Sequence, residues 1–217
     1  MSLNYSKYKA ILFDFDGTLY EANHFGFRLV TGYLLYAIRD KRERIVRKSL
    51  QGCDYGNSEA YYNAFFKKLG EGKREWYFKK YLPLMVEVLG RHFPARPNAQ
   101  TLINRLEESG KIVGVLSDYP MIAERCEAIG LKFNNNYFWS SEFFGALKPC
   151  KRPLLAIAEQ LGIEPKDILY IGDRPDTDAK CAEAAGCDYI LVETKKNKDL
   201  EEYNIIPWHE IANGICN

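Results

Sequence analysis

The stretch that most constrains this chain is a run of apolar residues that ends in two carboxylates. Residues 11–13 (Ile-Leu-Phe) do not alternate with polar residues, which is typical of a strand buried on both faces of a parallel sheet. Asp14 and Asp16 follow directly, and Gly17 frees the backbone for a turn. Because burying an unpaired carboxylate is costly, we hypothesise that Asp14 is a nucleophile and Asp16 its acid/base partner, beside a divalent metal ion. The alternative is an ordinary turn in which both acids are solvated.

The second half of the chain has the alternating pattern of a parallel sheet. From residue 98 onward, helical periodicity alternates with short apolar runs, and glycines end most of the predicted helices. The predicted strands after the first are residues 112–116, 137–139, 168–171 and 189–192. Strands that alternate with helices indicate a parallel sheet with right-handed crossovers, in which functional groups gather at the carboxyl ends of the strands.

The segment between these two parts has a different character. Residues 20–95 are rich in Tyr, Phe, Lys and Arg and contain few strand-like runs. Apolar spacing predicts helices over residues 27–50, 58–69 and 76–89, with aromatic side chains as their core: Tyr61, Tyr62, Phe65, Phe66, Trp76, Tyr77 and Phe78. We therefore expect an α/β core made of residues 1–19 and 96–217, with an all-helical unit of residues 20–95 inserted after the first strand.

Polar groups also follow three later strands or loops of the predicted core. Ser117 ends the strand of residues 112–116, Lys148 precedes a proline in a loop that leads into a helix, and Asp173 ends the strand of residues 168–171. Each has an ordinary interpretation, as a helix cap, a surface charge or a complement to a helix dipole. Two carboxylates at neighbouring strand ends repel each other unless a cation lies between them. Oxygen ligands without His or Cys nearby favour Mg²⁺.

Taken together, these groups resemble the four motifs of the haloacid dehalogenase-like superfamily. The motifs are residues 14–18 (Asp-Phe-Asp-Gly-Thr), Ser117, Lys148 with Pro149, and Gly172-Asp173 followed by Asp178. The resemblance covers the predicted core, and the helical insert stands where that family places its C1 cap. It implies a Rossmann-like three-layer core with a parallel sheet and an inserted all-helical cap, as in phosphoglycolate phosphatase-like members.

The resemblance also implies the chemistry of the core site. Asp14 would attack the substrate phosphorus and form an aspartyl-phosphate, and Asp16 would protonate the leaving oxygen and then deprotonate water. Mg²⁺ would be held by Asp14, the backbone carbonyl of Asp16 and Asp173. Ser117 and Lys148 would bind the phosphoryl oxygens, with Lys148 also counted as catalytic. Asp178 would orient Lys148 or a metal-bound water.

Two departures from the family's common pattern are visible. An Asp-Pro pair usually follows Lys148-Pro149, whereas this chain has Cys150 and Lys151 there, and Asp118 stands where Asn is frequent. We interpret the first as a variation at a helix start, and Asp118 either as an added negative charge near the phosphate or as a helix cap.

The function implied is a Mg²⁺-dependent phosphatase acting on a small phosphorylated metabolite. Asp16 and Asp173 favour phosphoryl chemistry over the dehalogenase branch, which lacks an acid at the place of Asp16 and needs no metal. A phosphomutase would use the same core residues, and a catalytically silent binding or regulatory module on this fold is a third alternative. The substrate and the oligomeric state are left open.

Composition limits the classes of partner. The formal net charge is +1, so composition does not favour nucleic acid or a membrane surface as a partner. No apolar stretch is long enough to span a membrane, and there is no signal-peptide core. The six cysteines form no CxxC pair, which argues against zinc and a disulfide framework and predicts a reducing, cytoplasmic setting.

The inserted segment is where we expect substrate specificity to reside. Tyr20, His24 and Arg28 lie near its start and are candidates for pocket residues, the alternative being that they face solvent or pack on a helix. Residues 39–48 contain six basic residues, a pattern that could attract anionic substrates or nucleic acid. The interpretation we favour from sequence is a solvated helix face with pairs to Asp40 and Glu43.

Overall fold

The core of the protein is a parallel six-stranded sheet. The structure is a computed structural model that describes residues 3–22 and 34–214. The sheet order is β3-β2-β1-β4-β5-β6, with all neighbours parallel. The strands are β1 (Ala10–Phe13), β2 (Ile112–Ser117), β3 (Phe138–Ser140), β4 (Ile168–Gly172), β5 (Asp188–Val192) and β6 (Ile205–Ile206).

Helices pack on both faces of this sheet, and the helices of the insert lie over the carboxyl ends of its strands. Their bounds are α1 (Leu34–Lys48), α2 (Ser58–Leu69), α3 (Leu82–His92), α4 (Ala99–Glu108), α5 (Ile122–Ala128), α6 (Arg152–Leu161), α7 (Lys180–Ala185) and α8 (Trp208–Ala212). Residues 71–81, between α2 and α3, form short 3₁₀, α and π turns. In the described part of the chain, no helix is both long and apolar enough to cross a bilayer.

Alternate residues of each strand pack into two separate apolar layers. In β1, Ile11 and Phe13 join one layer with residues of α4, α5 and α8, whereas Ala10 and Leu12 join the other with residues of α6 and α7. Side chains alternate across a strand, so a strand apolar at every position must be covered on both faces. The predicted α/β three-layer fold is confirmed.

β1 lies in the middle of the sheet, at the point where the strand order changes direction. Its neighbours are β2 on one side and β4 on the other, so later strands extend outward from both. A crevice forms outside the carboxyl ends of strands at such a switch point. The end of β1 therefore opens into the position where an open parallel sheet binds ligands.

The helical insert leaves the core and returns to it at adjacent points. Tyr20 and Ala95 form an antiparallel bridge, so the two connections run side by side. The seven aromatic residues predicted as the core of the insert all pack in the larger apolar layer, Trp76 and Phe78 at its margin and the other five buried. This layer is continuous from the insert to the sheet, and the boundaries of the insert at residues 20 and 95 remain a prediction.

Some predicted bounds differ from the structure. The helix predicted at 76–89 is instead a π turn over Tyr77–Tyr81 followed by α3, and Pro83 lies in the first turn of α3, where its missing N–H is not needed. The sequence prediction missed β6 and α8, since two-residue strands and one-turn helices have too little periodicity to detect.

Candidate active site

The carboxyl ends of the central strands open into a cavity beneath the helical insert. Its volume is about 600 Å³, within the range of sites for small molecules. The sheet side contributes four of the predicted site residues and Asp178: Asp14, Asp16, Lys148, Asp173 and Asp178. The insert contributes part of α1 as the opposing wall. Five of the six side chains predicted from sequence therefore line one cavity.

Asp14 and Lys148 form a buried ion pair at the end of β1. The Lys148 ammonium donates to Asp14 Oδ1 at 2.5 Å, to Asp178 Oδ1 at 2.7 Å and to the Tyr170 hydroxyl at 2.9 Å. Burial raises the pKa of Asp14, and the Lys148 charge offsets this only in part. Burial lowers the pKa of Lys148, but Asp14 and Asp178 outweigh it and keep the amine protonated.

Asp178 also shapes the turn that follows β4. Its Oδ2 accepts hydrogen bonds from the backbone N–H groups of Asp173 and Arg174, at 3.2 and 3.0 Å. A Cβ at Gly172 would collide with the Asp178 side chain, so glycine is needed there to let the carboxylate approach. Asp178 thus contacts both Lys148 and the backbone of the turn that carries Asp173.

Asp16 points toward a buried arginine that the sequence analysis did not identify. Arg125 of α5 donates to Asp16 Oδ2 at 2.5 Å, and Tyr20 donates to Asp16 Oδ1 at 2.7 Å. Burial raises the pKa of Asp16, but the charge and hydrogen bond of Arg125 outweigh it and hold the pKa below its ordinary value. Asp16 is therefore ionised in this arrangement, with its side chain about one-third exposed.

Ser117 lies beside the same arginine rather than on the cavity surface. Its hydroxyl accepts from Arg125 Nη1 at 2.9 Å and donates to Asp16 Oδ2 at 3.4 Å, and the side chain is fully buried. Ser117 is not among the residues that line the cavity. Its predicted contact with phosphoryl oxygens stays a prediction.

Asp173 has the features of a cation ligand. Oδ1 is buried and has no hydrogen-bond partner within residues 3–22 and 34–214, and one carboxylate oxygen each of Asp14, Asp173 and Asp178 lies within 4.8 Å of the others. Burial, with the charge of Asp178, raises the pKa of Asp173 to about 7. Three acids at such spacing, with an orphaned oxygen, fit a hard divalent cation.

Gly17 lets the turn after β1 come close to this acid group. Its φ is +88°, and a Cβ there would collide with the Asp173 carboxylate. The turn is braced by Arg96, which donates to the carbonyls of Gly17 and Thr18 at 3.0 and 2.9 Å. On the other side, Asn197 donates to the carbonyl of Asp173 at 2.9 Å. Two residues far away in sequence thus fix the turns that carry the acids.

Asp118 does not cap a helix, as one interpretation of the sequence proposed. Its Oδ1 accepts from the backbone N–H of Lys148 at 3.2 Å, and its carbonyl accepts from Arg47 at 2.6 Å. The side chain therefore ties the loop after β2 to the loop that carries Lys148. The Lys148–Pro149 peptide bond is cis.

The expectation that residues 39–48 form a solvated helix face is wrong for Arg47. Arg47 is buried, and its guanidinium pairs with Glu43 of α1 at 2.7 Å and with Glu142 of the core at 2.6 Å. Arg44 and Lys48, on the same helix, are exposed and line the cavity. The predicted pairing with Glu43 is present, but the helix face that carries it is turned inward.

The remaining predictions for the insert have mixed outcomes. Tyr20 lies in the cavity and contacts Asp16. His24 and Arg28 lie outside the described residues, as does the start of the helix predicted at residue 27. In the described part of the chain the cysteines are free thiols: Cys53, Cys126, Cys150, Cys181 and Cys187.

Sequence reasoning missed several residues that shape the site: Arg47, Arg96, Arg125, Glu142, Tyr170 and Asn197. Arg125 follows Ser117 by eight residues and falls on the inner face of α5, between Ile122 and Cys126. A charged residue on an otherwise apolar helix face was the one signal available for it. The other residues sit in loops, or on faces whose partners are far away in sequence, and carry no comparable signal.

Comparison with known proteins gives one family match over most of the chain. Residues 8–186 match the family described as haloacid dehalogenase-like hydrolase. The chain is 24% identical over 210 residues to a glyceraldehyde 3-phosphate phosphatase from Methanopyrus kandleri, covering 90% of this chain and 88% of the relative. It is 28% identical over 98 residues to a phosphoglycolate phosphatase from Haemophilus influenzae, covering 43% of this chain and 42% of that relative.

Solved structures share the fold at low sequence identity. A HAD phosphatase from Thermococcus onnurineus superposes with a TM-score of 0.59 at 22% identity, covering 94% of this chain and 95% of that one. A protein described as a predicted phosphoglycolate phosphatase from Haemophilus somnus 129pt has a TM-score of 0.60 at 18% identity, with 94% and 96% coverage. At these identities the likeness concerns the fold alone.

Proposed function

Since the chain belongs to the family of haloacid dehalogenase-like hydrolases, we propose that it is a Mg²⁺-dependent phosphatase that cleaves a small phosphorylated metabolite. The observation that supports this most directly is the convergence of Asp14, Lys148 and Asp173 on one cavity at the switch point of the sheet. The relatives carry names of phosphatases for small organic phosphates. The domain assignment belongs to the same proposal: residues 20–95 are the cap, and residues 1–19 and 96–217 the catalytic core.

Asp14 is the nucleophile in this proposal. One carboxylate oxygen attacks phosphorus, the bond from phosphorus to the ester oxygen breaks, and an aspartyl-phosphate forms on Asp14. Water then attacks that phosphorus, which releases phosphate and restores the carboxylate. Lys148 neutralises charge next to Asp14 and is placed to hold a phosphoryl oxygen, because preorganised charge stabilises the transition state of this reaction.

Asp16 moves the protons. It enters the first step protonated, gives that proton to the leaving oxygen, and in the resulting ionised form takes a proton from water in the second step. Hydrogen bonds from Arg125 and Tyr20 favour the ionised form, so the arrangement of Asp16 described above corresponds to the stage between the two steps. Arg125 also holds Ser117, so one buried guanidinium sets the positions of two predicted site residues.

A metal ion would be held by Asp14, Asp173 and the backbone carbonyl of Asp16. When bound, Mg²⁺ supplies positive charge that neutralises the phosphoryl oxygens as the bond to phosphorus changes. Asp173 provides a buried oxygen, Oδ1, to which no group in the described part of the chain donates. Asp178 stays bound to Lys148 and to the backbone N–H groups of its own turn, and orients both.

Phosphate release over a panel of small organic phosphates, with Mg²⁺, tests the proposal. We expect turnover by the wild type and a loss of at least about 10³-fold in kcat for Asp14→Asn, because an amide cannot act as the nucleophile. Asp188→Asn is the matched control, since Asp188 is half exposed and pairs with Lys7 at the opposite end of the strands. A phosphoryl adduct on Asp14 in acid-quenched wild type would support the covalent step.

Two results would contradict the phosphatase proposal and point elsewhere. Isomerised product without free phosphate would indicate a phosphomutase. Equal inertness of the wild type and Asp14→Asn across the panel, with Mg²⁺ present, would indicate a binding or regulatory module.

A further inference from the structure

Two lysines of the cavity wall form no ion pair with the side chains that the structure describes. Lys148, Arg47 and Arg174 each pair with carboxylates of the chain. Lys48 and Lys196 also line the cavity, but neither ammonium contacts a carboxylate of residues 3–22 or 41–214, the side chains that the structure describes. The proposed reaction assigns no role to either lysine.

Lys48 belongs to a polar stripe on the wall opposite the acids. Arg44 and Lys48 are one helical turn apart on α1, and Gln51 follows on the same side. All three line the cavity, whereas Arg42 of the same helix is exposed and lies outside it. The stripe places positive charge and amide donors over the reaction site, on the side where the remainder of a substrate would lie.

The sheet side of the cavity carries acidic residues, whereas the α1 side carries basic ones. Asp14, Asp16 and Asp173 repel any anion other than the phosphoryl group, whose charge Lys148 and the metal would neutralise. An uncharged substrate remainder would gain little from the positive charge of Lys48. A remainder with a negative charge would bind Lys48 inside a cavity, where ion pairs are stronger than at an open surface.

We infer that the substrate carries a second anionic group, a carboxylate or a second phosphoryl group, and that Lys48 binds it. The inference rests on the proposed phosphatase function and names the substrate class for that site. Lys48 is a specificity residue here and takes no part in the chemical step. Lys196, from the loop after β5, extends the same positive rim.

The test uses two substrates that differ at one group. 3-Phosphoglycerate carries a carboxylate where glycerol 3-phosphate carries a neutral alcohol. We expect the wild type to prefer the acid by about tenfold or more in kcat/KM, and Lys48→Gln to remove most of this preference through KM, with kcat unchanged. Arg42→Gln removes a charge from the same helix outside the cavity and is expected to change neither value by more than about twofold.

A second pair, fructose 1,6-bisphosphate against fructose 6-phosphate, distinguishes a phosphoryl from a carboxylate as the second anion. Equal kcat/KM within both pairs would overturn the inference while leaving the phosphatase proposal intact. Equal effects of Lys48→Gln and Arg42→Gln would also overturn it, because they would show long-range attraction rather than a binding contact.

Calorimetric binding to Asp14→Asn separates this inference from the proposed function. That variant cannot turn over, so its affinity for 3-phosphoglycerate and glycerol 3-phosphate is read without chemistry. Tighter binding of the acid, lost in Asp14→Asn/Lys48→Gln, supports the second-anion site even if no substrate releases phosphate. Equal affinities would refute it.

Discussion

Asp173 illustrates how the surroundings of a single residue can indicate a metal ligand. Oδ1 of Asp173 is buried, and no group in the described part of the chain donates to it. Both features disfavour the ionised carboxylate, and burial is the main reason that its pKa is raised to about 7. Its ordinary pKa is near 4, so between about pH 4 and 7 the folded metal-free protein holds a proton that the unfolded chain releases. The contribution of this group to stability is thus present at low pH and lost as pH rises through about 7.

A cation would reverse this dependence, because Asp173 must be ionised to bind it. We expect one fixed Mg²⁺ concentration, chosen to saturate the site at pH 8, to raise Tm by several degrees at pH 8 and by less than about one degree at pH 5. In Asp173→Asn, which cannot ionise, the Mg²⁺ effect is expected to be small at both pH values. Differential scanning fluorimetry measures this without activity. A larger Mg²⁺ effect at pH 5 than at pH 8 would contradict the assignment of Asp173 as a ligand.

At the scale of elements, the contact between α1 and the core is polar and buried. Arg47 bridges Glu43 of α1 and Glu142 of the 3₁₀ turn Ser141–Phe144, and it donates to the Tyr77 hydroxyl at 2.7 Å. Tyr62 donates to the second oxygen of Glu142 at 2.6 Å. Since Arg47 also holds the carbonyl of Asp118, this network joins the insert to the loop after β2 that follows Ser117.

Replacing Arg47, the cation of this network, should strongly destabilise the folded protein. Arg47→Met leaves Glu43 and Glu142 buried without their partner, and we expect the free energy of unfolding to fall by about 3–5 kcal/mol. Arg47→Met/Glu142→Gln removes one of the two stranded charges, so its cost should be smaller than the sum of the single costs. Urea denaturation of Arg47→Met, Glu142→Gln and the double variant measures these costs.

Glu75→Gln is the control for the network variants. Glu75 pairs with Lys79 by the same i,i+4 spacing, but both side chains are more than two-thirds exposed, and its loss should change the free energy of unfolding by no more than about 0.5 kcal/mol. If Arg47→Met were as mild as this control, the buried network would not hold the insert to the core.

At the scale of the whole molecule, the insert and the sheet share one apolar layer. Tyr61, Phe65 and Leu89 of the insert belong to the same buried cluster as Val115 and Ile171 of the sheet. An insert with a separate core could open and unfold by itself, whereas one that shares its core loses apolar burial when the sheet unfolds. We therefore expect one cooperative unfolding transition.

Tryptophan fluorescence can test this cooperativity, because the tryptophans lie in different parts of the protein. Trp76 packs in the insert, and Trp208 packs beside the core, where its indole donates to the carbonyl of Pro97 at 2.8 Å. Variants that keep only Trp76 or only Trp208, with Phe elsewhere, are each expected to show the same urea midpoint by fluorescence and by far-UV circular dichroism. A Trp76 transition at lower urea than the dichroism transition would indicate an insert that unfolds independently.

The sequence was most informative where local pattern and sheet topology sufficed. A strand buried on both faces, the alternation of strands and helices, and polar groups at strand ends predict the parallel sheet, the helical insert and a cavity shared by Asp14, Asp16, Lys148 and Asp173. This works because the carboxyl ends of parallel strands meet at one edge whatever the loops between them do. The positions of these residues along the chain therefore determined that they would meet.

Only the tertiary structure decided which partners those residues have. Asp16 pairs with Arg125, 109 residues away, and Arg47 turned out to be buried although its neighbours in sequence suggested a solvated face. Such contacts depend on how helices rotate and dock, which is set by the packing of many side chains and leaves no periodic trace in the sequence. The sequence shows where charged residues lie along the chain. Only the tertiary structure shows which of them are buried in ion pairs, as Arg47 is, and which face the cavity, as Lys48 does.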